Sequence, residues 1–115
     1  MTIDVLRNIA MALPAATEDI KWDVHLCFNV GAKMFLITSP DDVPVNATLK
    51  VPVDIYHEML DREGFIPASH LSRYHWVNIT DIGLLTKKEW EFLIRQSYDQ
   101  VVAKLPKKTR QSLSI

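Results

Sequence analysis

A single cysteine, Cys27, and three glycines, Gly31, Gly64 and Gly83, are all that 115 residues contain of either type. One cysteine excludes an intrachain disulfide and any zinc site built from several thiolates. Its setting, Leu26-Cys27-Phe28, reads as a buried strand thiol, not a reactive one. Three scattered glycines cannot build a phosphate-cradling loop. There is no G-x-S-x-G elbow for a serine nucleophile. No H-x-x-x-H pair occurs either, since His25, His57, His70 and His75 are scattered without metal-ligand spacing. No apolar run approaches the roughly 18 residues that cross a bilayer. Asp4 occupies the place where a signal peptide would be positive. These absences lead to the expectation of a cytoplasmic protein that does not enter membranes, carries no cofactor or metal, and is not an enzyme.

A strong charge of one sign is missing as well. The formal net charge is -1, which gives no global attraction to nucleic acid and leaves only a local basic patch to make such a contact. The distribution is uneven. No acid follows Asp99, whereas Lys104, Lys107, Lys108 and Arg110 add four positive charges to the C-terminal end.

What is present is the composition of an ordinary folded protein, 48% hydrophobic and 23% charged. One domain over residues 1–115 is expected, as a monomer, large enough to bury a core without a disulfide or metal. Thr2 is placed to cap a helix over 3–13, with Ile3, Leu6, Ala10 and Leu13 at helical spacing and Pro14 as its stop. Residues 15–19 read as a polar connection into an extended stretch, Ile20 to Trp22. Two strand-like runs follow, His25–Val30 and Lys33–Ser39, and the intervening Gly31-Ala32 suits a tight hairpin turn. The second run is apolar on both faces and so belongs in the centre of a sheet. A further strand spans Val45–Val51, with Ala47, Leu49 and Val51 inward. Pro52 opens a helix whose apolar stripe is Ile55, Tyr56, Met59 and Leu60, and Gly64 ends it. Residues 65–72 read as a loop.

The segment Arg73-Tyr74-His75-Trp76-Val77-Asn78-Ile79 then alternates like a strand. Val77 and Ile79 are the better core residues, so Tyr74, Trp76 and Asn78 should face outward, and a one-residue shift in phase would reverse this. Outward aromatics near basic groups suit single-stranded nucleic acid or a planar ligand. The bland alternative has Tyr74 and Trp76 filling a secondary core beneath the basic tail. The last helix has the clearest start: Thr86 and Glu89 stand at capping-box spacing, with Leu85 and Trp90 as the hydrophobic staple. Its stripe runs to Leu105, with Ser97 and Tyr98 near the middle, before Pro106 and a short basic helical turn or frayed end. The element order predicts an α+β fold of two layers, an antiparallel sheet with helices on one face and the other face open.

Four stretches in the right order resemble the MmcQ/YjbR family over nearly the whole chain. They are Gly31-Ala32-Lys33-Met34-Phe35, then Leu49-Lys50-Val51, then Ser69-His70-Leu71-Ser72-Arg73-Tyr74-His75-Trp76, and last Ser97-Tyr98 with Leu105-Pro106-Lys107-Lys108-Thr109-Arg110. Arg73 stands where the family often has lysine, which keeps the charge and changes the donor geometry. The resemblance implies a frataxin-like, CyaY-like fold and a double-wing mode of DNA binding, and the family has no established enzymatic activity. Iron binding of the frataxin kind is disfavoured, since the first helix carries one acid, Asp4, and no acidic ridge. The expected contact set is Lys33, Lys50, Arg73, Tyr74, His75, Trp76, Lys107 and Lys108. The competing expectation is a small-molecule or protein interaction module on the open sheet face around Trp76.

Overall fold

Strand-forming residues from six parts of the chain meet in one antiparallel sheet of order β1-β2-β3-β4-β6-β5. The strands are β1 (Thr17–Lys21), β2 (His25–Val30), β3 (Lys33–Ser39), β4 (Asn46–Lys50), β5 (Phe65–Pro67) and β6 (Trp76–Ile79). Four helices accompany them: α1 (Ile3–Met11), α2 (Val53–Leu60), α3 (Lys87–Ala103) and α4 (Lys107–Leu113). The structure, a computed structural model, describes residues 1–115 except for the side chain of Arg73.

Register separates the two faces of the sheet. Ala47 lies opposite Ile79 and Leu49 opposite Val77, all fully buried against the helices. Thr48 opposite Asn78, and Ile37 opposite Thr48, point to the other face. The expected two-layer α+β architecture and the expected phase of the final strand are therefore what the chain adopts. Phe28, Leu36, Trp90 and Ile94 fill the space between sheet and helices. Trp90 is fully buried and donates its indole N–H to the Ile82 carbonyl at 2.9 Å, which satisfies the one polar atom it brings into the core.

Local signals set most boundaries. Thr2 caps α1 through Val5, and α3 begins with the full capping box, Thr86 accepting from Glu89 N–H while the Glu89 carboxylate accepts from Thr86 N–H. Gly31 and Ala32 are both left-handed, φ 56° and 64°, the conformation that the tight two-residue turn between β2 and β3 requires. A Cβ on Gly31 would lie 2.8 Å from Leu105 and 3.3 Å from Thr109. The turn is thus packed beneath the junction of α3 and α4.

Five expectations need correction. Helix α1 stops at Met11, before Leu13. The supposed polar connection at 15–19 already contains most of β1, whose Glu18 faces α1 and pairs with Arg7 at 2.7 Å. An edge strand with a salt bridge on its helix side lacks the apolar alternation that announces a strand. The supposed loop at 65–72 begins with β5, three residues ending in Pro67, a residue that only a sheet edge tolerates well. The segment at Arg73 is not yet strand: Ser72–Tyr74 form a 3-10 turn, His75 is left-handed at φ 68°, and pairing starts at Trp76. The basic tail, expected as a short helical turn or frayed end, is helical but longer, the seven-residue helix α4. Among the described residues no helix is long and apolar enough to cross a membrane.

Candidate functional site

The site begins with a gap in the sheet. Ile37 of β3 pairs with Thr48 of β4, so two residues further along Phe35 would face Lys50. The ladder stops short of that pair. A bulge in β2–β3 pairing, where Phe28 faces Leu36 but Asn29 faces Met34, turns the start of β3 away. Ser97 of α3 fills the break: its hydroxyl donates to the Phe35 carbonyl at 2.6 Å and accepts from the Lys50 N–H at 3.1 Å. Gln100 of the same helix donates to the Lys50 carbonyl at 3.3 Å. Both backbone groups of Lys50 are thereby held by α3 instead of by a neighbouring strand.

Beyond this break the strands leave a pocket of about 480 Å³. Lys33 and Met34 come from the start of β3, Lys50 and Trp76 from the paired ends of β4 and β6. Val101, Lys104 and Leu105 close the α3 side, and Leu71 with Tyr74 closes the opposite side. Trp76 forms an apolar floor and retains only 8% of its exposure, whereas Tyr74 at the rim keeps 45%. The two sequence readings of Trp76 are thus both partly realised. It lies on the outward face of its strand, and it is covered by the chain's basic end.

Three lysines and no carboxylate line this pocket. Among the described residues no ion pair involves Lys33, Lys50, Lys104, Lys107 or Lys108. Burial, and then the ammonium of Lys104 beside it, hold Lys50 below the ordinary lysine pKa. The C-terminal end of α3 turns its carbonyls toward Lys104, its capping residue, and offsets only about half an elementary charge. The acids of α2 do not intrude on the lining. Glu58 belongs to a separate groove between α2 and α3, with Arg62, Lys88 and Phe92.

Met34 and Leu71 are shared with a second, larger groove of about 670 Å³ on the open face of the sheet. Its lining holds Ile37, Thr48 and Asn78 in the middle and Trp22 at the far side, and no acid. Asn78 donates to the Thr48 hydroxyl at 2.9 Å, which fixes the amide on that face. Trp22 is 67% exposed on the left-handed turn between β1 and β2, and His25 meets its ring edge-on at 5.8 Å. The pocket and the groove form one continuous, acid-free surface.

Of the residues expected from sequence, the structure brings Lys33, Lys50, Tyr74 and Trp76 together. His75 is not with them: its ring packs edge-on against Tyr56 of α2 at 5.0 Å. Lys107 and Lys108 are exposed on α4, outside the pocket lining. The side chain of Arg73 lies outside the described residues. Sequence reasoning missed the roles of Lys104 and Ser97. The usable signal was helical spacing, because Ser97, Gln100, Val101 and Lys104 recur on one stripe of α3. Cys27 is buried as expected, and burial pushes its thiol pKa up. Among the described residues no cluster of three or more His, Cys, Asp or Glu is placed to hold a metal.

The YjbR family model matches residues 11–100. The crystal structure of Deinococcus radiodurans protein DR2400, which carries the domain DUF419, superposes with a TM-score of 0.88 at 30% identity, covering 99% of this chain and 88% of that one. No curated protein matches the sequence significantly.

Proposed function

Since the chain belongs to the YjbR family, we propose that it is a non-enzymatic protein that binds single-stranded nucleic acid, with the lysine pocket taking backbone phosphate and the adjoining sheet face taking bases. The observation that carries this reading is the convergence of Lys33, Lys50 and Lys104 on a pocket that, among the described residues, has no carboxylate in its lining and no ion-pair partner for these lysines. Unneutralised ammonium groups facing one another are unfavourable in the free protein and become favourable around an anion. Tyr74 at the rim and Trp22 across the groove supply stacking faces. Lys107 and Lys108 extend the positive surface along α4 without lining the pocket. Phosphate contacts release counterions, so affinity for short single-stranded DNA falls as salt rises, with a slope near −0.7 per contacted phosphate. Salt-independent binding, or no binding at low salt, rules the reading out.

The continuous groove favours a second reading from another class, a small-molecule or protein interaction module on the open face. That module would bind almost independently of salt. Trp22→Ala and Asn78→Ala would abolish its binding, while Lys104→Gln would leave it intact.

A further inference from the structure

The pocket is specified more narrowly than a nucleic-acid surface needs to be. We propose that it is a phosphomonoester site, which holds the doubly charged end of a phosphorylated ligand between Lys50 and Lys104 and a flat apolar group against Trp76. This deepens the nucleic-acid reading of the same pocket and rests on it only in taking this pocket as the binding surface.

Three observations carry the assignment. First, Lys50, Lys104 and Lys33 line one pocket, and no acid is among its described lining residues. A carboxylate or a backbone diester brings one negative charge and leaves such a pair under-neutralised. A phosphomonoester brings about −1.5 to −2 at neutral pH and three acceptor oxygens, and so satisfies both ammonium groups at once. Second, the backbone of Lys50 is held in place. Its N–H is held by Ser97 and its carbonyl by Gln100, so the flexible lysine stem starts from a fixed anchor at the pocket wall. Third, the pocket holds about 480 Å³, within the range of small-ligand sites. Its remaining wall is apolar, built from Trp76, Leu71, Val101 and Leu105. A lone inorganic anion would leave that wall uncovered. A single nucleotide-like unit would cover it.

The same chemistry has two sources, a free small phosphomonoester or the phosphorylated end of a strand. Titration calorimetry on the full chain separates them, using adenosine monophosphate, adenosine, and one short single strand with and without a terminal phosphate. Adenosine monophosphate is expected to bind about tenfold or more tighter than adenosine, the scale of one or two charge-assisted hydrogen bonds. Lys104→Gln, at an exposed position, is expected to remove that preference while circular dichroism and thermal melting remain those of the parent. If the strand also binds about tenfold tighter with its terminal phosphate, the source is a nucleic-acid end. If only the mononucleotide shows the preference, it is a small molecule, and the proposal holds in either case. Equal binding of adenosine and its monophosphate, or none of either, overturns the proposal. Salt-sensitive strand binding that ignores the terminal phosphate overturns it too, and leaves the nucleic-acid reading standing. Mononucleotide binding with no strand binding of any kind does the reverse.

Discussion

The hydroxyl of Ser97 accepts the Lys50 N–H at 3.1 Å and so stands where a strand should stand. Its proton goes on to the Phe35 carbonyl at 2.6 Å. One buried side chain therefore joins β3 to β4 at the point where they part, and the parting creates the lysine pocket. Ser97→Ala leaves a buried amide and a buried carbonyl without partners, at a cost of about 1–3 kcal/mol. Urea unfolding should show a lower midpoint with an unchanged slope. A loss within about 0.5 kcal/mol, the range of neutral surface changes, would mean that the two strands simply close on one another, and the pocket should then vanish with the hydroxyl.

Lys50 offers a spectroscopic prediction. Burial and the neighbouring Lys104 lower its pKa. The folded form is thus penalised while Lys50 is protonated, and that penalty lifts as pH rises through the folded pKa toward the ordinary lysine value. Lys104→Gln removes one of the two causes, and phosphate bound in the pocket opposes both. Each should move the Lys50 side-chain titration upward, as followed by carbon-detected NMR of the ε-methylene. No movement with either change would show that the two ammonium groups do not feel one another.

Acid stability follows from three carboxylates. Hydrogen bonding by Arg7 lowers the pKa of Glu18, hydrogen bonding by Asn29 and then Lys21 lowers that of Asp19, and the Thr86 N–H lowers that of Glu89. A depressed folded pKa contributes stability that is present above the ordinary carboxylate range and lost as pH falls through the folded value. The melting temperature should therefore hold to roughly pH 4 and drop below it. Asn29→Ala should make that drop shallower, whatever it does to stability at neutral pH. An unchanged pH slope in this variant would remove Asp19 from the account.

The start of α3 provides a control far from the pocket. Thr86→Ala deletes one half of the capping box and should cost about 1 kcal/mol, within a range of 0.5–2, with ligand binding unaffected. If binding weakened in parallel, the N-terminal end of α3 would be coupled to the Ser97–Lys50 contact about three helical turns away.

The sequence announced those elements whose signals are local. A capping box, a Gly-Ala turn and two apolar strands can be read residue by residue, and each is found where the pattern places it. The elements at the sheet edges could not be read in this way. Strand β1 has the sequence Thr-Glu-Asp-Ile-Lys because its Glu18 meets Arg7, 11 residues earlier, and β5 is three residues that exist only because β6 is there to pair with them. The pocket was half legible. Lys33, Lys50, Tyr74 and Trp76 were expected together on the strength of a family pattern, and they are together. His75 was drawn in by its neighbours in sequence, yet its left-handed backbone at φ 68° rotates it away toward Tyr56. No alternation rule describes a residue in that conformation. Ser97 looked like an ordinary polar residue inside a helix, because the strand gap that it fills is made by residues 47 and 62 positions away.

Gly31 carries a consequence for the order in which the molecule comes together. The turn that it forms is local and can close early, but Leu105 and Thr109 pack against it from the other end of the chain. The hydroxyl of Tyr98 likewise reaches back to the Pro14 carbonyl at 2.6 Å. Contacts of such long sequence separation are entropically expensive to form and come late. During synthesis the sheet can therefore assemble before its basic pocket has a third wall. Core and pocket are then completed by one event, the docking of α3, because Val101 and Leu105 belong to both.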